Sequence, residues 1–244
     1  MKPATSNTIS SSVNSEIFFG EGEGRRPLLV RRVANARRMR LAIDPRTGDV
    51  RLTLPRRASE RSGRAWAEQH RDWIEAQLAK LPRPQRIEPG ATISFRGEDV
   101  VVDWSPEHSR IVRLEGDRLH VGGPAESVAK RVVAWLRGEA LRQLEAETRA
   151  IAVEAGVTVG RVAIGDPRTR WGSCSANGDI RYSWRLILAP PFVLSSTVAH
   201  EVAHRLHMDH SPAFRAAEKR LYGRDPRPAR DWLSAHGAGL YWLG

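Results

Sequence analysis

Pro190-Pro191-Phe192-Val193-Leu194-Ser195-Ser196-Thr197-Val198-Ala199-His200-Glu201-Val202-Ala203-His204-Arg205-Leu206-His207-Met208-Asp209-His210-Ser211-Pro212 is the stretch that decides how the chain reads. Proline is tolerated in a first helical turn, so Pro190-Pro191 opens a helix, and Leu194, Val198, Val202, Ala203 and Leu206 give it an apolar stripe. At about 100° per residue, His200 and His204 stand one turn apart on a single face, and both rings can reach one metal ion. Glu201 is turned by one residue from His200, so its carboxylate can lie beside a metal-bound water without taking a coordination position, as a general base requires. The plain alternative is an amphipathic helix with solvated or core-satisfied histidines. The apolar stripe argues against it, because two buried imidazoles without a shared partner are costly.

A catalytic zinc takes three protein ligands and a water, so a third ligand has to be found. His210 lies six residues past His204, about 240° round a continued helix and so on the wrong side. Ser211-Pro212 offers an N-cap followed by a first helical proline, which puts His210 in a connector between two helices where it can fold back. Glu218 on the following helix and His207 are rival ligands, with His207 also a candidate outer group. Asp209 reads as a cap or an outer partner of the site.

Working outward, Asn177-Gly178 is the strongest hairpin signal in the chain, flanked by Cys174–Ala176 and Ile180–Trp184, with Leu186–Leu188 extending the second strand. A strand is expected near Val157–Ile164, and a long helix ahead of it from Val132, Val133, Leu136, Ala140, Leu141, Leu144, Thr148 and Ile151, ending at Gly156. Gly122-Gly123-Pro124 marks a boundary. Before it, Ala91–Phe95, Val100–Trp104, Ile111–Leu114 and Leu119–Val121 alternate with turns as a β-meander. Earlier still, Leu28–Arg32, Met39–Ile43 and Val50–Leu54 predict a small antiparallel sheet, followed by one helix from Ser59 to Pro82 with Trp66 and Trp73 as packing anchors. Residues 1–26 are polar, with few apolar anchors beyond Ile17, Phe18 and Phe19, and read as a disordered tail. The expected organisation is therefore α+β: tail 1–26, a β-rich lobe with one helix at 27–124, and a catalytic lobe at 125–244 built on the metal-binding helix and a small antiparallel sheet. No internal repeat is visible.

The 244 residues contain one cysteine, Cys174, which excludes an intramolecular disulfide and a Cys-rich zinc site; a metal must be held by His and carboxylate. Cys174 reads as a packed small residue rather than a nucleophile. No segment reaches the 18 or so apolar residues of a membrane span and the N-terminus has no apolar signal core, so no membrane partner and a cytoplasmic location are expected. The net charge of +11 and pI near 10.9 attract polyanions, which makes nucleic acid an admissible partner. An Arg-rich composition from a high-GC genome explains the same charge. Nothing in the pattern specifies an oligomeric state.

Arg170-Trp171-Gly172-Ser173-Cys174-Ser175, Gly178-Asp179-Ile180, Pro190, His200-Glu201-Val202-Ala203-His204 and His210-Ser211-Pro212-Ala213-Phe214 together resemble the YgjP-like metallopeptidases, relatives of the SprT and WLM proteases. A weaker likeness runs through Arg40–Pro55 and Trp73-Ile74. The resemblance implies a compact zincin-like, minigluzincin-type lobe with one Zn²⁺ on His200, His204 and His210 and with Glu201 as base, hydrolysing a peptide or protein substrate. Metzincins share the spacing but need a glycine where His207 stands and a downstream methionine turn, and both are missing. Arg168, Arg170, Trp171 and Ser173 before the hairpin, with Tyr182 and His207, are candidate substrate contacts; Tyr182, His207 and Arg170 are also candidates for stabilising an oxyanion. Proteins resembling this family have been assigned nucleoside triphosphate pyrophosphatase activity, so a nucleotide is the second substrate class, with Arg168 and Arg170 as phosphate donors. SprT kinship and the basic charge suggest a third reading, a nucleic-acid-associated protease or binding module.

Overall fold

The computed structural model describes residues 14–21 and 25–244, and the chain divides into two compact units, Met1–Pro82 and Arg83–Gly244. It is a mixed α+β protein with three small sheets and six α-helices among the described residues. None of these helices is long and apolar enough to cross a membrane.

The first unit holds strands β1 (Asn14–Phe19), β2 (Arg26–Val33), β3 (Arg40–Ile43) and β4 (Val50–Pro55), in the order β1-β2-β4-β3. Alternation in β2 and β4 puts Leu28, Val30, Val50, Leu52 and Leu54 on one buried face. Helices α1 (Glu60–Gln69) and α2 (Arg71–Leu78) contribute Ala67 and Ile74 to the same core. Gly63 lets α1 pack tightly on the sheet: a Cβ there would stand 2.7 Å from Cδ2 of Leu52 and 2.9 Å from Cδ2 of Leu54. Ser59 caps α1, accepting a 3.0 Å hydrogen bond from the Ser62 amide.

Several expectations for this unit are corrected. The tail was expected to reach residue 26, but 14–19 pair antiparallel with β2 and Phe19 is fully buried; residues 1–13 lie outside the described residues. The sheet is mixed rather than antiparallel, since β2 and β4 run parallel with β3 on the outer edge. Alternation fixes which face is buried and leaves the neighbour open. The single helix is two, broken at His70 (φ −106°, ψ 19°), whose Nδ1 donates to the Trp66 carbonyl. Trp66 packs on the core, whereas Trp73 is exposed.

The second unit begins with β5 (Thr92–Phe95), β6 (Glu98–Trp104), β7 (Arg113–Glu115) and β8 (Arg118–Val121). Their order, β5-β6-β8-β7, with antiparallel outer pairs and a parallel central pair, repeats the topology of the first sheet strand for strand. This is a crossover and not a meander, and it is a repeat of topology that no sequence period announces. Helix α3 (Val128–Ala155) follows, burying Val128, Val132, Leu136, Ala140, Leu144, Thr148 and Ala152 in one stripe and ending at Gly156 in the left-handed conformation (φ 65°). Strands β9 (Val162–Gly165), β10 (Gly172–Cys174) and β11 (Ile180–Ser183) form a sheet of order β10-β11-β9, in which β11 and β9 are parallel. The expected small antiparallel sheet is thus mixed. Residues Trp184–Leu188 turn into a buried 3-10 segment instead of prolonging β11.

Helices α4 (Pro191–Ala203), α5 (Pro212–Tyr222) and α6 (Arg227–His236) complete the unit. The Gly122–Pro124 turn, expected as the lobe boundary, lies inside it: Ile93, Val100, Val102, Leu119 and Val121 of the sheet share one core with α3 and α4. A four-stranded sheet with one apolar face needs something to cover it, and here the cover is the unit's own helices.

Candidate metal centre

Helix α4 starts at Pro191 with Pro190 as its cap residue, and His204 closes it. After a short turn, Ser211 caps α5 by accepting from the Phe214 amide at 3.3 Å, with Pro212 in the first helical turn. The helix therefore breaks where the sequence requires, and the connector folds His210 back onto His200 and His204. Coordinating atoms of these three histidines lie within 4.8 Å of one another.

The outward hydrogen bonds show which nitrogens face inward. His200 Nδ1 donates to Oε1 of Glu218 at 2.9 Å, and His204 Nδ1 donates to the carbonyl of His207 at 3.2 Å. Both partners are acceptors, so Nδ1 carries the hydrogen and Nε2 holds the free lone pair. Nε2 of His210 lies 3.4 Å from Nε2 of His200. Two ligands of a tetrahedral ion bound at about 2.05 Å are about 3.3 Å apart, so this pair fits the edge of such a shell. Three imidazoles are a donor set suited to zinc and unsuited to calcium or magnesium. Burial, reinforced by His200, pushes the His204 pKa below its ordinary 6.5 and so favours the neutral ligand form.

Phe214 of α5 is the floor of this cluster. Its buried ring lies 5.0, 4.6 and 4.8 Å from the rings of His200, His204 and His210. Glu218 is also buried, with Oε1 on His200 and Oε2 paired to Arg230 of α6. Burial would raise the Glu218 pKa, but the hydrogen bonds from His200 and Arg230 outweigh it and hold the carboxyl below its ordinary value. With one oxygen on His200 and the other on Arg230, Glu218 orients the His200 imidazole.

Glu201 is buried on α4, and burial is the main reason its carboxyl is pushed up to about 7, against the opposing charges of His200 and Arg170. A carboxylate titrating near neutrality is suited to both taking and returning a proton. Gly172 of β10 lies directly against it: a Cβ on Gly172 would be 2.7 Å from Cγ and 2.8 Å from Cδ of Glu201, and closer still to Oε1. A cleft of about 260 Å³ opens here, lined by Arg170, Trp171, Gly172, His200, Glu201 and Arg230 among others.

The remaining candidates separate. Arg170 and Trp171 line this cleft, while Ser173 lines a second groove on the other side of the hairpin with Arg161, Arg170 and Arg181. Arg168 is exposed and lines neither. Tyr182 is corrected as a substrate contact: it is fully buried, with its hydroxyl 2.9 Å from Oγ1 of Thr148 in the core. His207 contributes its carbonyl to His204, and its ring is not part of the cluster. Asp209 accepts from the Ser211 amide at 3.1 Å, an end-of-turn role.

Two arginines hold the walls. Arg185 bonds Asp166 through Nε (2.8 Å) and Nη2 (3.0 Å) and donates Nη1 to the carbonyls of Leu240 and Leu243, fixing the loop that leads to Trp171. The ion pair of Asp166 is with Arg185. Arg205, just past α4, donates to the carbonyls of Thr158 and Ala176 and pins the hairpin loop, where Gly178 takes φ 92°. That loop runs from Ser175 to Asp179, longer than a two-residue Asn-Gly turn, because Oγ of Ser175 accepts the Asp179 amide and closes a wider ring.

The roles of Gly172, Phe214, Glu218 and Arg230 exceed what the sequence reading assigned them. The HExxH spacing gives no sign of them; only the close packing of β10, α5 and α6 around α4 does. Residues 37–236 match the family model described as YgjP-like, metallopeptidase domain, while no curated protein and no solved structure matches the chain. With that match running through most of its length, the chain belongs to the YgjP-like metallopeptidase family.

Proposed function

We propose that the protein is a zinc-dependent peptidase of the HExxH type with a zincin-like active site, holding one Zn²⁺ on His200, His204 and His210. The observation that carries this reading is the convergence of three imidazoles beside the buried carboxylate of Glu201. Zinc, when bound, polarises a carbonyl and lowers the pKa of water. Glu201 accepts the proton of the attacking water and returns it to the leaving amine. Glu218 and the His207 carbonyl keep the imidazoles turned inward, and Arg170 at the cleft supplies a cationic donor to a developing oxyanion. The test is Glu201→Gln against His204→Ala: the first should retain the zinc of the three-histidine centre and lose casein cleavage, the second should lose cleavage together with that zinc. Full activity in the Gln variant sinks the assignment.

A second reading has one specific observation in its favour. Arg170 lines both the cleft at Glu201 and the groove that carries Arg161 and Arg181, so a chain of phosphates could run from one into the other. The same zinc-loaded protein given a nucleoside triphosphate panel decides it, with Arg181→Ala expected to raise KM for nucleotides and leave casein cleavage unchanged. A nucleic-acid-associated role, motivated by the net charge of +11, would show as a steep salt dependence of binding to single- or double-stranded DNA.

A further inference from the structure

A second group of metal-ligating side chains stands on the four-stranded sheet of the second unit. Asp103 of β6 and His120 of β8 are direct partners across the parallel central pair, and His108 lies in the turn that follows β6. One ligand atom from each falls within 4.8 Å of the others, and all three residues are partly exposed. Nδ1 of His120 is 3.3 Å from Oδ2 of Asp103, and the rings of His108 and His120 lie 5.1 Å apart, edge to face.

The His108 turn is built rather than loose. Ser105 donates its amide to the Val121 carbonyl at 3.2 Å, His108 donates its amide to the Ser105 carbonyl at 3.1 Å, and Oγ of Ser105 accepts from the Glu107 amide at 3.2 Å. Gly122 presses on the turn from below, where a Cβ would stand 2.6 Å from the His108 carbonyl carbon. Nδ1 of His108 faces the Asp103 carbonyl at 3.3 Å. That acceptor fixes the hydrogen on Nδ1 and leaves the Nε2 lone pair free, the same arrangement that turns His204 toward the first centre. Glu115 is a further carboxylate in reach, its Oε2 3.8 Å from Nε2 of His120.

We propose that Asp103, His108 and His120 form a second metal site, separate from the HExxH centre, that takes a borderline transition-metal dication such as Zn²⁺. Two imidazoles and one or two carboxylates suit zinc, copper or nickel and disfavour calcium and magnesium. A bound ion would tie the 105–109 turn to both central strands, a structural role on a sheet distant in sequence from the hydrolytic machinery. Arg118 is its competitor, with Nη1 3.8 Å from Oδ2 of Asp103, so the site should be weaker than the three-histidine centre.

The experiment is Zn²⁺ titration of the chelator-stripped full chain, with bound metal counted by mass spectrometry and affinity read by competition with a chromophoric chelator. The expected result is two Zn²⁺ per chain, one in His204→Ala, one in the His108→Ala, His120→Ala double variant, and none when all three substitutions are combined. Arg118→Ala, at an exposed position that leaves the fold alone, should tighten the weaker site several-fold. The proposal is overturned if the double variant, folded by circular dichroism, binds as much zinc as the wild type, or if Arg118→Ala leaves the weaker isotherm unmoved. Failure of the HExxH assignment would appear separately, as an unchanged count in His204→Ala.

Discussion

Gly172 and Glu201 touch: the α-carbon of the glycine on β10 stands where a methyl group would collide with the side chain of the glutamate on α4. The strand and the helix meet at the carboxylate proposed above as the proton carrier. The first prediction follows from which partner can yield. A Cβ at position 172 would displace the buried Glu201 side chain from Cγ outward rather than backbone, so Gly172→Ala should still fold, at a cost of about 1–3 kcal/mol. Its kcat should fall on the order of 100-fold, because misplacing a reacting group by about 1 Å costs that much. Thermal unfolding alongside peptidase kinetics checks both halves, and unchanged kcat would refute the packing argument.

Glu218→Gln removes the charge that holds the His200 imidazole while keeping its volume. Loss of such an outer partner typically weakens metal affinity about 10- to 100-fold. Chelator competition should show this shift with Glu201 untouched, so activity at saturating zinc should recover substantially.

Phe214 carries three imidazole rings on its faces and edge and is almost completely buried. Phe214→Ala should destabilise the protein by about 3–5 kcal/mol, as large-to-small changes in cores do. Phe214→Leu should recover most of that stability in a denaturant titration yet bind zinc more weakly, since a leucine fills space without a flat surface for the rings.

In the first unit, Arg26 on β2 pairs with Glu75 on α2 through two hydrogen bonds of 2.6 and 2.7 Å. These bonds are the main cause holding the Glu75 pKa below its ordinary 4.5, with burial opposing and the Arg26 charge adding. A depressed carboxyl stabilises the fold above pH 4.5 and loses that contribution as pH falls through its folded value. Glu75→Gln should therefore lower the melting temperature at pH 7 slightly and flatten its decline on acidification. The effect is small because both side chains are roughly two-fifths exposed. Melting curves between pH 3 and 7 that superimpose, apart from a constant offset, would contradict it.

Much of the second unit was legible residue by residue. Proline at 190–191, the glycine at 156 and the Ser211-Pro212 pair set helix ends through local backbone chemistry, and each stands where it was expected. His200 and His204 were paired by helical spacing, whereas His210 was chosen over Glu218 and His207 by the helix break and the family resemblance together; the structure brings all three histidines close. Strand partners did not follow: alternation in β2, β4, β6 and β8 identified the apolar face but carried no information on which strand lies beside which, so two parallel crossovers were read as antiparallel arrangements. The topological repeat of the two sheets was hidden for the same reason.

Tyr182 shows the limit most directly. Its place in the hairpin made it a candidate for the cleft, but the strand's pleat turns it to the core face, where Thr148 takes its hydroxyl. A one-residue change of register would have faced it outward. What the sequence determined by itself was local: several helix ends of the second unit, and a helix break that leaves His210 outside the helix carrying His200 and His204. The tertiary structure alone decided which groups press against that chemistry, Gly172 against Glu201, Phe214 beneath the histidines and Glu218 behind His200. Those neighbours lie on separate elements brought together by burial of apolar surface, which is non-directional and leaves no spacing in the sequence to read.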